Sequence, residues 1–226
     1  MFENIRLISF DLDDTLWPTQ PVIMAAEHEL HQWLKLNAPD MASALSVFDM
    51  RDQRLEFMQE YPQLAHNLTL VRVKTLEAAL GAYGYSSSLA AQAMAVFRNA
   101  RNRVTPWEDV RPLLEELGQR YILVSLTNGN AEVERTPLRG CFHYSLSAED
   151  IGCAKPDPGM FHQLASLSGC TFEQMLHVGD DWERDMLPAM RLGMATAWVH
   201  RYPKGGVHKQ GADLCLFNLN PLRVYL

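Results

Sequence analysis

The stretch Ile8–Pro18, ISFDLDDTLWP, decides the fold. It continues an apolar run, IRLISF at residues 5–10, of the kind that forms a strand buried on both faces. It then presents three carboxylates in four positions: Asp11, Asp13 and Asp14. Like charges crowded at the end of a buried strand are unfavourable unless an opposing charge joins them. A lone strand at the start of a chain cannot be a domain, so its pairing partners must come later.

From about residue 19 to 103 every pattern is helical. Pro21 stands in a first-turn position, and Val22, Ile23, Ala26, Leu30, Trp33 and Leu34 follow at helical spacing. A second helix is expected from about Ala42 to Glu60, ending before Pro62. A third runs through LTLVRVKTLEAALGAYG with Gly84 as its stop, and a fourth begins near the serines at 86–88.

After Arg103 the texture changes. Thr105-Pro106-Trp107-Glu108 reads as a capping box opening a helix to about Arg120. The strands YILVSLT, FHYSLS, MLHVGD and MATAWVH then alternate with the helices FHQLASLSG and WERDMLPAMRLG. RYPKGGVHKQGA reads as a mobile surface loop, and ADLCLFNLNPL as one more strand with a short tail. This alternation predicts an α/β fold, a Rossmann-like, doubly wound parallel sheet with helices on both faces. The partners of the first strand lie beyond residue 120. The expected organisation is therefore an α/β core of residues 1–17 and 104–226, with an α-helical domain, 18–103, inserted after the first strand.

Composition narrows the function. With 226 residues, 47% of them hydrophobic, the chain can bury a substantial core. The net charge of −7 repels nucleic acid and anionic membrane, so an anionic substrate must be attracted locally. No apolar run approaches a membrane span, and MFENIRLISF lacks a signal-peptide pattern. Cys141, Cys153, Cys170 and Cys215 show no metal-type or redox-type spacing, which suits reduced thiols packed in the core of a cytoplasmic protein.

In open parallel sheets functional groups gather beyond the carboxyl ends of the strands. Strand one ends in Asp11-Leu12-Asp13, and strand two in Thr127-Asn128-Gly129. Lys155-Pro156 follows strand three. Strand four ends in Gly179-Asp180-Asp181, with Asp185 one helical turn on. Singly, these are ordinary turn residues, helix caps or a solvated lysine. Together they bring polar groups from four segments to one edge. Asp11, Asp13 and Asp180 would repel unless a cation joined them. Oxygen donors without histidine or cysteine suit Mg²⁺ better than zinc. Asp11 and Asp13, two apart on a strand, face the same side, so that one can attack while the other handles a proton. Lys155 supplies fixed positive charge, Thr127 a hydroxyl, and Asn128 and Gly129 backbone N–H groups. Such a site fits a phosphoryl group.

DLDDTL, SLTNG, KP and GDDWERD resemble the four signature motifs of the haloacid dehalogenase (HAD) superfamily of phosphohydrolases, and the helical insertion resembles that family's cap. The resemblance covers essentially the whole chain. SLTNGNAE and LHVGDDWERDMLPAMRLGM carry a narrower likeness to the YigB-type bacterial phosphatases acting on 5-amino-6-(5-phosphoribitylamino)uracil, a riboflavin precursor. The resemblance implies that Asp11 is a nucleophile forming an aspartyl-phosphate, and that Asp13 protonates the leaving oxygen and then activates water. It implies Mg²⁺ held by Asp11, Asp180 and the backbone carbonyl of Asp13. Lys155 would neutralise Asp11 and a phosphoryl oxygen, Thr127 would donate to another, and Asp185, with Asp181 beside it, would orient Lys155 or a metal-bound water. The implied substrate is a small phosphate monoester: the riboflavin precursor or a related sugar phosphate or nucleotide. No nucleic-acid or membrane partner is implied, and the implied assembly is a monomer or weak homodimer.

Asp14, where many members carry glycine, reads as a turn residue. Trp17 and Trp182 could stack on a planar ring but read as core packing, and Arg72 and Lys74 could meet a substrate anion but read as a solvated helix face. Three alternatives stand beside this reading. A haloacid dehalogenase proper would use the same nucleophile on carbon, needing neither a metal nor Asp13, so Asp13 and Asp180 argue against it. A phosphomutase would pass the phosphoryl group to a sugar hydroxyl. A binding protein that merely keeps the fold would not need every catalytic position filled.

Overall fold

The computed structural model describes residues 2–202 and 211–226. Among the described residues six strands form one sheet: β1 (Leu7–Phe10), β2 (Ile122–Thr127), β3 (Tyr144–Ser147), β4 (Met175–Gly179), β5 (Ala195–Val199) and β6 (Leu214–Leu216). Their order is β3-β2-β1-β4-β5-β6, and every neighbouring pair is parallel. Leu7 aligns with Ile122 on one side and Met175 on the other. All residues of β1 and β4 are buried. Because side chains alternate along a strand, both faces of the sheet are covered at its centre. The strand order reverses between β1 and β4, which marks the crevice where such sheets bind ligands.

The chain divides into two compact units, Met1–Pro18 with Thr105–Leu226, and Thr19–Val104. In the first, Leu7, Val124 and Leu126 pack with Met160, Phe161, Leu164 and Ala189. The second is entirely helical. Its helices Thr19–Asn37, Pro39–Ala44, Val47–Glu60, Leu68–Ala82 and Leu89–Arg101 enclose Leu30, Leu34, Met41, Leu80 and Phe97.

Several local expectations are corrected. The single helix foreseen over 42–60 is two, broken at Leu45-Ser46. Ser46 caps the second: its N–H donates to Asp49 Oδ2 at 2.8 Å, and the Asp49 N–H donates to Ser46 Oγ at 3.2 Å. Pro106 does not open a helix. The helix begins at Val110, and the preceding Asp109 carboxylate accepts from Arg201 and from the Leu219 N–H, which ties the chain ends of this unit together. Arg72 is not on a solvated face. It is buried, donates twice to Glu27 at 2.8 and 3.0 Å, and lies 3.5 Å over the Phe97 ring; Lys74 is exposed and pairs with Glu77. The thiols are all free, but only Cys141 and Cys170 are core residues. Cys153 is half-buried and Cys215 exposed on β6, where alternate residues face outward. Residues 203–210 of the foreseen loop lie outside the described residues. Among the described residues no helix is long and apolar enough to cross a membrane.

Candidate active site

The four segments singled out in the sequence end on the same edge of the sheet. Register puts them there: Phe10 pairs with Ser125 and with Val178, so the next residues of β1, β2 and β4 emerge together. Carboxylate oxygens of Asp11, Asp180 and Asp185 lie within 4.8 Å of one another. The Asp13 carboxylate is not among them. It is held by Trp17, whose indole Nε1 donates to Asp13 Oδ1 at 2.9 Å.

Lys155 is the counter-charge to this cluster. It is 3% exposed, and its Nζ donates to Asp11 Oδ1 at 2.8 Å, Asp185 Oδ1 at 2.6 Å and the Leu126 carbonyl at 2.8 Å. Three acceptors match the three hydrogens of an ammonium group. All three ammonium hydrogens are thus engaged within the protein. Burial pulls the Lys155 pKa down, but Asp11 and Asp185 outweigh it and hold the pKa above the ordinary lysine value. Burial pushes Asp185 up, and Lys155 and His177 overturn that, holding its carboxyl well below the usual range. Burial raises Asp11 well above its ordinary value, opposed by Lys155 and assisted by Asp185 and Asp180. Burial, with Asp185 next, pushes Asp180 up to about 7, against a hydrogen bond from Thr15.

The donor set fits a hard divalent cation. It is all oxygen, Asp11 and Asp185 are buried and Asp180 half-buried, and the burial and mutual repulsion that raise Asp11 and Asp180 are what such a cation offsets. Asp11 and Asp180 suit the role better than Asp185. The oxygens of Asp185 are already occupied, Oδ1 by Lys155 and His177 and Oδ2 by the Asp181 N–H at 3.0 Å.

The remaining residues fall into place around this centre. Thr127 is buried, and its Oγ1 accepts the Gly129 N–H at 2.9 Å, which orients the hydroxyl for donation elsewhere. Asn128 was singled out for its backbone N–H; its side chain grips the Lys155 backbone at both N–H and C=O. Asp181 caps the next segment by accepting from the Glu183 and Arg184 N–H groups at 2.9 Å. That segment is not a plain α-helix. Trp182–Met186 makes one wide turn, with the Met186 N–H reaching the Asp181 carbonyl, before an α-helix at Leu187–Arg191. The wide turn brings Asp185 against Gly179, where an added Cβ would sit 2.7 Å from Asp185 Cβ, so only glycine fits. Asp14 takes the positive φ of 60° that a glycine would take, a conformation aspartate tolerates in turns. Trp182 packs edge-on against Trp198, ring centroids 4.8 Å apart.

Sequence reasoning missed four participants. Thr15 Oγ1 donates to Asp180 Oδ1 at 3.1 Å, and Trp198 Nε1 donates to the Asp180 carbonyl at 2.8 Å. His177 is fully buried, 3.2 Å from Asp185 Oδ1 through Nε2 and 2.8 Å from Ser9 Oγ through Nδ1. Burial keeps its pKa low, so the ring is a neutral hydrogen-bonding group. The available signal was polarity out of place: a serine in IRLISF and a histidine in MLHVGD, each inside an apolar strand.

Comparison with known proteins agrees with this geometry. Residues 5–193 match the family model "Hydrolase: haloacid dehalogenase-like hydrolase". The chain is 31% identical over 207 residues to the 5-amino-6-(5-phospho-D-ribitylamino)uracil phosphatase YigB of Escherichia coli (strain K12), covering 90% of this chain and 86% of that protein. It is 27% identical to a glyceraldehyde 3-phosphate phosphatase of Methanopyrus kandleri, covering 87% and 84%. The crystal structure of a 2-haloacid dehalogenase from Pseudomonas syringae pv. Tomato DC3000 superposes with a TM-score of 0.91 at 34% identity, over 97% of each chain. With the motifs at the switch point of the sheet and the family model spanning most of its length, the chain belongs to the haloacid dehalogenase-like hydrolase family.

Proposed function

We propose that the protein is a magnesium-dependent phosphatase that hydrolyses a small phosphate monoester through an aspartyl-phosphate on Asp11. The observation that carries this reading is the meeting of Asp11, Asp180 and Asp185 at the β1/β4 crevice, with the Lys155 ammonium bonded to Asp11 and Asp185 and Asp13 two residues from the nucleophile. Asp11 attacks phosphorus in line. Asp13 gives a proton to the leaving oxygen, then takes one from the water that opens the intermediate. Thr127 donates its hydroxyl to a phosphoryl oxygen, and Lys155 opposes the rise that burial imposes on the Asp11 pKa and offsets the charge of the transferring group. Mg²⁺, held by Asp11, Asp180 and the Asp13 carbonyl, supplies electrostatic stabilisation of that charge when bound. Asp185 positions Lys155.

The favoured substrate is 5-amino-6-(5-phosphoribitylamino)uracil, a riboflavin precursor, with sugar phosphates and nucleotides as neighbours in the same class. Its support is the likeness to the Escherichia coli phosphatase along most of both chains. The dehalogenase reading has the superposition on the Pseudomonas syringae structure in its favour. Carbon–halogen displacement by Asp11, however, would leave Asp13 and the Asp180 cluster without a task. The deciding experiment compares phosphate release from a panel of monoesters with halide release from 2-haloacids, each with magnesium and with chelator. Phosphate release that needs magnesium and disappears in Asp11→Asn is expected; metal-independent halide release alone would overturn the reading.

A further inference from the structure

We infer that Trp17 is a positioning residue for the proton-handling carboxyl group of Asp13, a step that rests on the acid–base role proposed above. Trp17 is fully buried, so its indole N–H requires an acceptor, and the acceptor is Asp13 Oδ1 at 2.9 Å. The backbone is folded to make this contact. Asp14, at φ 60°, reverses the chain. The Asp14 N–H donates to the Trp17 carbonyl at 2.8 Å, and the Leu16 N–H donates to the Leu12 carbonyl at 2.7 Å. Two outside groups pin the loop. The Trp107 N–H donates to the Leu16 carbonyl at 3.1 Å, and the Arg201 guanidinium to the Thr15 carbonyl at 3.2 Å. A four-residue loop held at this many points presents the indole to Asp13 at a fixed angle.

The chemical consequence follows from the acceptor strengths of a carboxyl group. When Asp13 is protonated, its carbonyl oxygen is the better acceptor. The indole bond therefore selects Oδ1 as the carbonyl and Oδ2 as the hydroxyl. It also fixes a torsion that is otherwise broad and two-fold. In the first half-reaction, a bond forms between Asp11 and phosphorus as the bond from phosphorus to the leaving oxygen breaks. The proton on Asp13 Oδ2 passes to that oxygen, and a neutral alcohol departs. In the second half-reaction, water oxygen bonds to phosphorus as the Asp11–phosphorus bond breaks, and the water proton returns to Oδ2. Removing the indole N–H leaves both acid and base present but loosely aimed.

A leaving group that departs as a stable anion does not need the proton; an alkoxide does. The test compares kcat/KM for an alkyl phosphate with that for p-nitrophenyl phosphate, in magnesium, for the wild-type protein, Trp17→Phe and Asp13→Asn. Their ratio is independent of how much of a preparation is folded. Trp17→Phe is expected to lower the alkyl-to-aryl ratio about tenfold, the scale of one well-aimed hydrogen bond. Asp13→Asn should lower it further. Trp17→Tyr, which also lacks a donor at this point, should shift the ratio in the same direction and keeps the test readable if the phenylalanine variant does not fold. An unchanged ratio in both tryptophan variants, whatever the absolute rates, would reduce Trp17 to packing. An unchanged ratio in Asp13→Asn would instead remove the acid role of Asp13, and inactivity of the wild-type protein on both esters would remove the phosphatase reading.

Discussion

Both atoms of the Asn128 side-chain amide are bonded to the main chain of Lys155: Nδ2 donates to its carbonyl and Oδ1 accepts its N–H, each at 2.8 Å. The residue after β2 thus sets the backbone from which the lysine reaches Asp11 and Asp185, 27 positions further along the chain than its clamp. Asn128→Ala should lower kcat by roughly an order of magnitude or more, because an unaimed lysine no longer offsets the charge on Asp11. Stability should fall by about 1–3 kcal/mol, the loss associated with leaving a buried polar group unpaired. Asn128→Asp keeps the acceptor and loses the donor, so its activity should lie between the two. Denaturant midpoints and steady-state kinetics on the same preparations check both halves.

Asp180 gives a pH dependence with a definite sign. Its pKa is pushed up to about 7 in the folded protein, whereas an unfolded aspartate ionises near ~3.9. The folded state therefore holds the proton more tightly. This contribution to stability is fully present below about pH 4 and is lost as pH rises towards 7. Asp11 moves in the same direction. A divalent cation competes with the proton for these oxygens. The rise in melting temperature on adding magnesium should accordingly be small at pH 5 and larger at pH 8. Asp180→Asn should flatten this profile. A magnesium effect of equal size at pH 5 and pH 8 would contradict the assignment.

In the helical unit, Glu27 accepts from Arg54 at 2.5 Å and from Arg72 at 2.8 and 3.0 Å, and all three side chains are largely buried. Burial, with Arg72 next, already pulls the Arg54 pKa down to about 10. Glu27→Gln would leave two guanidinium groups facing each other without a counter-charge. The expected loss is about 3–5 kcal/mol, the scale found when one member of a buried ion pair is removed. It should be confined to residues 19–104. Hydrogen exchange should accelerate in Leu68–Ala82 and leave β1 and β4 unchanged; uniform acceleration across both units would show that they unfold together.

The sequence by itself determined the architecture and which polar groups the strand ends bring to one edge of the sheet. Two kinds of periodicity, and the need of IRLISF for partners beyond residue 120, fixed an inserted helical segment in a parallel sheet. Apolar patterning is written locally and repeats, so it can be read without coordinates. Asp11, Asp13, Thr127, Lys155 and Asp180 were legible because each ends or follows a strand, and parallel strands bring such ends together. Only the tertiary structure decided how these groups are held. Ser9 and His177 support Asp185 across strands far apart in sequence, the Asn128 side chain clamps the Lys155 backbone, Arg72 is buried against Glu27, and the Trp17 indole is turned onto Asp13. Hydrogen-bond partnership depends on a few tenths of an ångström and on side-chain direction. Composition and spacing carry neither, and both are set only when the packed chain leaves each buried polar atom one place to go.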